Sequence, residues 1–256
     1  MFYIDISIEG MMKRGKLGQI TPIIIVAIVL VIGFGIYFVI PEGQIEKVDP
    51  DVEPIYNYVQ GCLEESAKSA VLDIASQGGY FSVPEENFNG FPYYVKNGRN
   101  LRPNNDVIGN SLSEYVGLAV SFCLKDFKDF PSFDVSGNEI EVNAVITDQR
   151  VDFTVKYPLK ITKEDKVFEV ENFKYIVDAR LGTMINLAEL LVNDQIEHSI
   201  SLCLSCGQLI STEYEMAYNN LNLGDGDFLH SISDNKIKIN NEPLEFNFAM
   251  KLEVGG

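Results

Sequence analysis

Tryptophan is missing altogether, histidine occurs only at His198 and His230, and there are four cysteines. So thin a supply of imidazole leaves few general bases and few nitrogen ligands. None of the motifs GxSxG, HExxH or GxxxxGK[ST] is present, so hydrolase, metalloprotease and nucleotide-binding chemistry lack their residues. Carboxylate neighbours such as Glu64 with Glu65, or Glu85 with Glu86, are ordinary in an acidic chain and select no acid–base site. Positive charge is scarce as well: beyond residue 40 there are 17 Lys and Arg against 35 Asp and Glu. A surface of that sign opposes phosphate backbones, which excludes nucleic acid as a partner.

What the chain does have is one long uncharged run, Ile20 to Ile40, ITPIIIVAIVLVIGFGIYFVI. As a helix it spans about 31 Å, close to the hydrocarbon thickness of a bilayer, and it is apolar on every face, unlike an amphipathic core helix. Central Ile, Leu, Val and Phe each favour insertion by roughly 0.3 to 0.6 kcal/mol, and no charge opposes them. Gly33 and Gly35 do not have the spacing of a small-xxx-small helix-pairing motif. Lys13, Arg14 and Lys16 precede the run, whereas PEGQIEKVDPDVEP after it is acidic. The asymmetry keeps the N-terminus in the cytoplasm. The run is longer than the core of a secretory signal and ends in Tyr37, Phe38, Val39, Ile40 and Pro41 rather than small residues, so an uncleaved single-pass anchor is expected. Pro41 lacks an amide hydrogen and restricts Ile40, which stops the helix at the interface. The expected organisation is a basic cytoplasmic leader (1–19), a transmembrane helix (20–40), an acidic linker (41–53) and an extracytoplasmic domain (54–256).

The junction Lys13, Arg14, Gly15, Lys16, Leu17, Gly18, Gln19, Ile20, Thr21, followed by the apolar stretch, resembles the class III signal peptides of archaeal type IV pilin-like proteins. The resemblance is confined to about thirty residues. It implies an archaeal cell-surface protein whose leader is cut by a prepilin peptidase between Gly18 and Gln19, with the apolar helix retained.

The domain beyond residue 53 reads as α+β, with helices packed on a small antiparallel sheet. Pro54 opens a segment in which Ile55, Val59, Cys62, Leu63, Ala67, Ala70, Val71 and Ile74 recur at helical spacing until Gly78 and Gly79. Tyr80 to Asn105, rich in Pro, Asn, Gly and aromatic residues, reads as an irregular loop packed by its own rings. A second helix is expected from about Ile108 to Phe127, with Leu112, Tyr115, Val116, Ala119, Phe122 and Cys123 on a common side. The period then becomes two in EIEVNAVITD, RVDFTVKYPLKIT and KVFEVENFKYIVD, which predicts three antiparallel strands, with Ile140, Val142, Ala144 and Ile146 facing inward. A long helix from about Leu181 to Ser205 is available to cover their dry face. A last strand pair, near Lys236 to Ile239 and Leu244 to Lys251, adds an edge.

Four cysteines outside the membrane read first as two disulfides, for which three pairings exist. Cys62 with Cys123 is favoured because each lies on the apolar side of its helix. Cys203 and Cys206 then remain as CLSC, read as structurally bonded or buried thiols ahead of a redox pair or half a metal site. In a continuous helix they fall near its C-terminal end, where the dipole disfavours a thiolate, and His198 points away from Cys203 around the helix. Asn220, Asn222, Asp225 and Asp227 in NNLNLGDGD offer oxygens for a hard cation, but their order does not fit an EF-hand loop and a solvated turn is preferred. No metal or cofactor is expected. The residues therefore suggest a non-enzymatic, membrane-anchored surface protein, pilin-like or pilus-associated, with an adhesive or scaffolding role and with the lipid bilayer, prepilin peptidase and other surface proteins as partners. An envelope thiol-redox factor using Cys203 and Cys206 is the alternative.

Overall fold

The computed structural model describes residues 48–198 and 204–252. The apolar run, the leader with Gly18 and Gln19, most of the linker, and Cys203 lie outside the described residues. What is described has an α+β architecture with four helices and two sheets.

Pro54 and Glu53 open α1 (Glu53–Ser76), where a missing amide hydrogen costs nothing and an acidic side chain meets the positive end of the dipole. The helix ends as its glycines predict. Gly78 and Gly79 take φ of 60° and 84°, and the Gly79 amide reaches back to the Ile74 carbonyl at 2.7 Å, satisfying a terminal carbonyl. All eight apolar positions expected to face inward on α1 are buried. α2 (Asn105–Leu124) starts on Asn104, whose Oδ1 accepts from the Val107 amide at 2.9 Å. A tight turn over Lys125–Phe127 follows, with all three residues at positive φ. The two helices pack together and Cys62 is bonded to Cys123, with a Cα–Cα distance of 5.7 Å. The Tyr58 hydroxyl also donates to the Cys123 carbonyl at 2.8 Å.

Among the described residues, 105–127 is also the one helical stretch long and apolar enough to cross a membrane. One face of it packs into the core. Ile108, Leu112, Val116, Val120 and Leu124 are buried against α1 and the first sheet.

That sheet contains β4 (Asp134–Gly137), β5 (Glu141–Ile146), β6 (Arg150–Lys163) and β7 (Lys166–Asp178). β6 is central and antiparallel to all three, with β4 and β5 in line along one edge and β7 along the other. The alternation holds: Val151, Phe153, Val155, Ile161, Phe173 and Val177 are buried, while Thr154, Lys156 and Lys160 face solvent. α1 covers β7 and α2 covers β5, the place in which the helix from Leu181 was expected; that helix meets this sheet at β6 and the second sheet at the strands of residues 91–100. Phe122, expected on the packed side of α2, is 78% exposed, because the inward stripe runs through Val116, Val120 and Leu124.

The second sheet is larger than the predicted edge pair. It holds β1 (Asn87–Phe88), β2 (Phe91–Lys96), β3 (Arg99–Asn100), β8 (Ala217–Gly224), β9 (Asp227–Ile239) and β10 (Glu242–Lys251). Its order is β1-β2-β10-β9-β8, with β3 also on β2; β2 and β10 are parallel and the other pairings antiparallel. The expected loop from Tyr80 to Asn105 therefore contributes three strands. Asn89-Gly90 and Asn97-Gly98 turn the chain through positive φ at both positions, the geometry that suits tight hairpins, and Asn240-Asn241 does the same between β9 and β10. α1 also touches β10, so it lies against both sheets.

The predicted helix 181–205 is broken. α3 (Leu181–Glu197) stops at His198, with φ −121° and ψ 56°, and α4 covers Leu204–Glu213. The Gln195 side-chain amide donates to the His198 carbonyl at 3.0 Å, holding the end of α3. Gly207 then lets the α4 backbone lie so close to the Tyr218 ring that any Cβ there would collide with it.

Candidate functional site

Of the sequence-predicted site residues, the structure joins Cys62 to Cys123 as favoured. Gly18, Gln19 and Cys203 fall outside the described residues. Cys206 is the third residue of α4, so the position near the end of one continuous helix, from which an unfavourable dipole was argued, does not exist. Among the described residues no group of three or more His, Cys, Asp or Glu is placed to hold a metal. NNLNLGDGD forms β8 and a hairpin turn rather than a cation loop: Asn220 and Asn222 lie in the strand, and Asp225 in the turn has φ 50°. Asp227, at the start of β9, is buried and already engaged, accepting from the Tyr93 hydroxyl at 2.8 Å and from Lys251 Nζ at 2.9 Å.

Two ionisable clusters lie inside the second sheet and its helices. A row of rings crosses four strands: Tyr94 stacks on Phe248 with centroids 4.4 Å apart, Phe248 on His230 at 5.3 Å, and His230 Nδ1 meets the Tyr218 hydroxyl at 2.7 Å. His230 is 1% exposed and burial pushes its pKa down to about 3, so the ring is neutral across the ordinary pH range. Burial likewise pushes the Tyr218 phenol up to about 12. His230 and Tyr218 are both buried, at 1% and 7% exposure, and pack in the core. Beside it Arg180 holds Asp234 through two hydrogen bonds of 2.7 and 2.8 Å and donates to the Tyr214 and Glu215 carbonyls at 3.1 Å. Burial pushes the Asp234 carboxyl up, but the Arg180 guanidinium and the Lys236 and Ile237 amides leave it below its ordinary value. The clamp ties the start of α3 and the end of α4 to β9.

The accessible site lies at the first sheet. At its N-terminal half α2 closes the edge of β5, where Ser113 Oγ accepts from the Ala144 amide at 3.0 Å. A Cβ on Gly117 would stand 3.7 Å from Val142 Cγ2, so helix and strand still touch there. Beyond that point they part and leave an open cleft of about 690 Å³, within the range of ligand-binding clefts. Leu118 and Ser121 form one wall, Ile140 and Val142 the other, and Leu124, Phe127 and Tyr157 contribute apolar surface. Glu114 on the helix and Glu139 on the strand side stand at this cleft, and neither has an ion-pair partner among the described residues. The Ala144 amide points away from β6, so by the alternation of an antiparallel ladder the Val142 N–H and C=O also point away from β6. Sequence reasoning missed this site. Its one local signal is Leu118 with Phe122, two exposed apolar residues four apart on a helix whose core stripe lies elsewhere.

The chain matches no protein-family model, no curated protein and no solved structure.

Proposed function

We propose that this chain is a non-enzymatic, single-pass membrane protein that displays its acidic α+β head outside the cell, as a pilin-like or pilus-associated component with an adhesive or scaffolding role. One observation carries the reading: an uncharged run of 21 residues stands directly behind Lys13, Arg14 and Lys16 and ahead of the acidic remainder. The Cys62–Cys123 bond supports it, since such bonds persist in oxidising surroundings. Protease added to intact cells is expected to remove the head, and carbonate washing to leave the full-length chain in the membrane. A head that stays protected, or a chain that washes off, overturns the reading. Intact-mass measurement of the membrane form is expected to give Gln19 as the first residue; any other start defeats processing after Gly18.

The redox alternative rests on the CLSC spacing of Cys203 and Cys206. Thiol titration separates the readings. Ready cycling of Cys203 and Cys206 with a low thiol pKa favours the redox factor, and reduction that requires denaturation favours the surface protein.

A further inference from the structure

We propose that closing the Cys62–Cys123 bond is a redox switch, which forces the end of α2 into a left-handed turn over Lys125–Phe127 and so builds the floor of the cleft beside β5. The backbone after Cys123 is strained. Lys125, Asp126 and Phe127 take φ of 47°, 55° and 56°, the only run of three at positive φ without a glycine among the described residues. One such residue is an ordinary helix stop, but L-residues do not string together there, because each Cβ crowds the following carbonyl oxygen. Contacts from α1 have to hold the turn, and they come from Tyr58 and Cys62, one helical turn apart. Cys62 fixes Cys123 covalently, and the Tyr58 hydroxyl donates to the Cys123 carbonyl at 2.8 Å. In a helix that wound on to the right, that carbonyl would accept from the Phe127 amide instead. Tyr58 therefore stands in the place of the next helical bond, and its ring centroid lies 6.1 Å from that of Phe127 and 5.0 Å from that of Phe130. Nothing in Lys125, Asp126 and Phe127 themselves stops a helix, and the next proline is Pro131. Leu124, Asp126 and Phe127 line the cleft together with Tyr157, so the hand of this turn decides whether the floor is there.

Before the bond forms, α2 winds on to the right through Phe127 and carries Asp126 and Phe127 out of the cleft. Oxidation sets the switch. An external disulfide accepts two electrons and two protons from the Cys62 and Cys123 thiols, which join as one S–S bond, and it leaves as a dithiol; a dithiol reductant runs the exchange backwards. Cys62 is buried and Cys123 is partly exposed, so the external sulfur meets Cys123. The occasion for the switch, passage from a reducing cytoplasm to oxidising surroundings, rests on the function proposed above. Its measurement does not, because the purified chain can be reduced and reoxidised whichever side of a membrane the head occupies. Failure of one is therefore distinguishable from failure of the other.

Hydrogen exchange read by mass spectrometry on the full-length protein in detergent compares the bonded chain with the same chain in dithiothreitol. In the bonded chain the Lys128 amide reaches only the Lys125 carbonyl, at 3.4 Å. Reduction is expected to slow exchange of the Asp126, Phe127 and Lys128 amides about tenfold or more, because they gain carbonyl partners four residues back. Cys62→Ser with Cys123→Ser, measured without reductant, is expected to reproduce the slow exchange, which separates the effect from Cys203 and Cys206. Lys125→Gly with Asp126→Gly removes the crowding in the left-handed turn and weakens a right-handed one, so its amides are expected to exchange alike in both redox states. A plain staple predicts the reverse of the first result, namely faster exchange at 126–128 on reduction, from fraying or unfolding. That result overturns the proposal, as does unchanged exchange, or a slowing that the glycine variant still shows. Should the serine variant fail to fold, the unaltered chain in dithiothreitol still decides.

Discussion

Around β4 to β7 the core is closed by two helices and one covalent bond, and the charged side chains lie on the solvent side: Lys156 and Lys160 stand exposed on β6, and Asp51 is paired at the surface to Lys163 and Lys166. Around β1 to β3 and β8 to β10 several ionisable groups are inside as well as on the surface. Asp234 is fully buried against Arg180, Asp227 is buried under Tyr93 and Lys251, and His230 is sealed in a row of rings. The same chain thus uses chain-entropy restriction at one sheet and desolvated polar pairing at the other, and the two answer to different solvents. Reductant attacks the first and acid the second.

The largest effect that would break this contrast is expected from Asp234→Ala. It leaves the Arg180 guanidinium buried with two carbonyls and the Met216 sulfur but no counter-charge, and denaturant titration is expected to show a loss of about 4 kcal/mol, typical of stranding one member of a buried pair. A loss below about 1 kcal/mol would place the pair with ordinary surface bridges. Next comes the disulfide. Reducing Cys62–Cys123, or replacing both cysteines by Ala, is expected to cost about 3 kcal/mol, the middle of the usual range for a native disulfide, with an unchanged dependence on pH.

The smallest effect expected is that of mild acid. His230 has a folded pKa of about 3 against an ordinary 6.5, so between those values the unfolded chain binds a proton that the folded chain does not. Its contribution is complete above about pH 6.5 and is lost as pH falls toward 3, amounting to about 2 kcal/mol at pH 5. In His230→Phe the slope between pH 7 and 4 is expected to flatten. A slope identical to that of the unaltered protein would show that the acid response belongs to the carboxylates.

The parts of the fold that were legible are those whose burial follows one period. Residues 140–178 alternate because one face of their sheet is dry and the other wet, and α1 declares itself through its apolar spacing and its glycine stop. β2 was not legible, since FPYYVK is buried at four consecutive positions and sits among Pro, Asn and Gly that serve hairpin turns. β8 was hidden for a similar reason: Asn and Gly have low strand propensity, and only pairing with β9 makes them a strand. The break between α3 and α4 carries no Pro, and nothing local foretells it. Near the candidate site, Phe122 was visible as an apolar position but was assigned to the packed side of α2, and Leu118 was not singled out. The opposite wall around Asn138 and Ile140 depends on how β4 and β5 divide one edge of β6, which is a tertiary fact.

The Cys62–Cys123 bond has a consequence for the order of assembly. Both cysteines precede β4 to β10 in the chain, and the ring they close already contains β1, β2 and β3. β10, which runs parallel to β2, is made last. The newest strand must therefore dock sideways onto an older one inside a ring that oxidation is free to tie beforehand. That late, distant seam, rather than the staple, is the contact for which the growing chain has to wait.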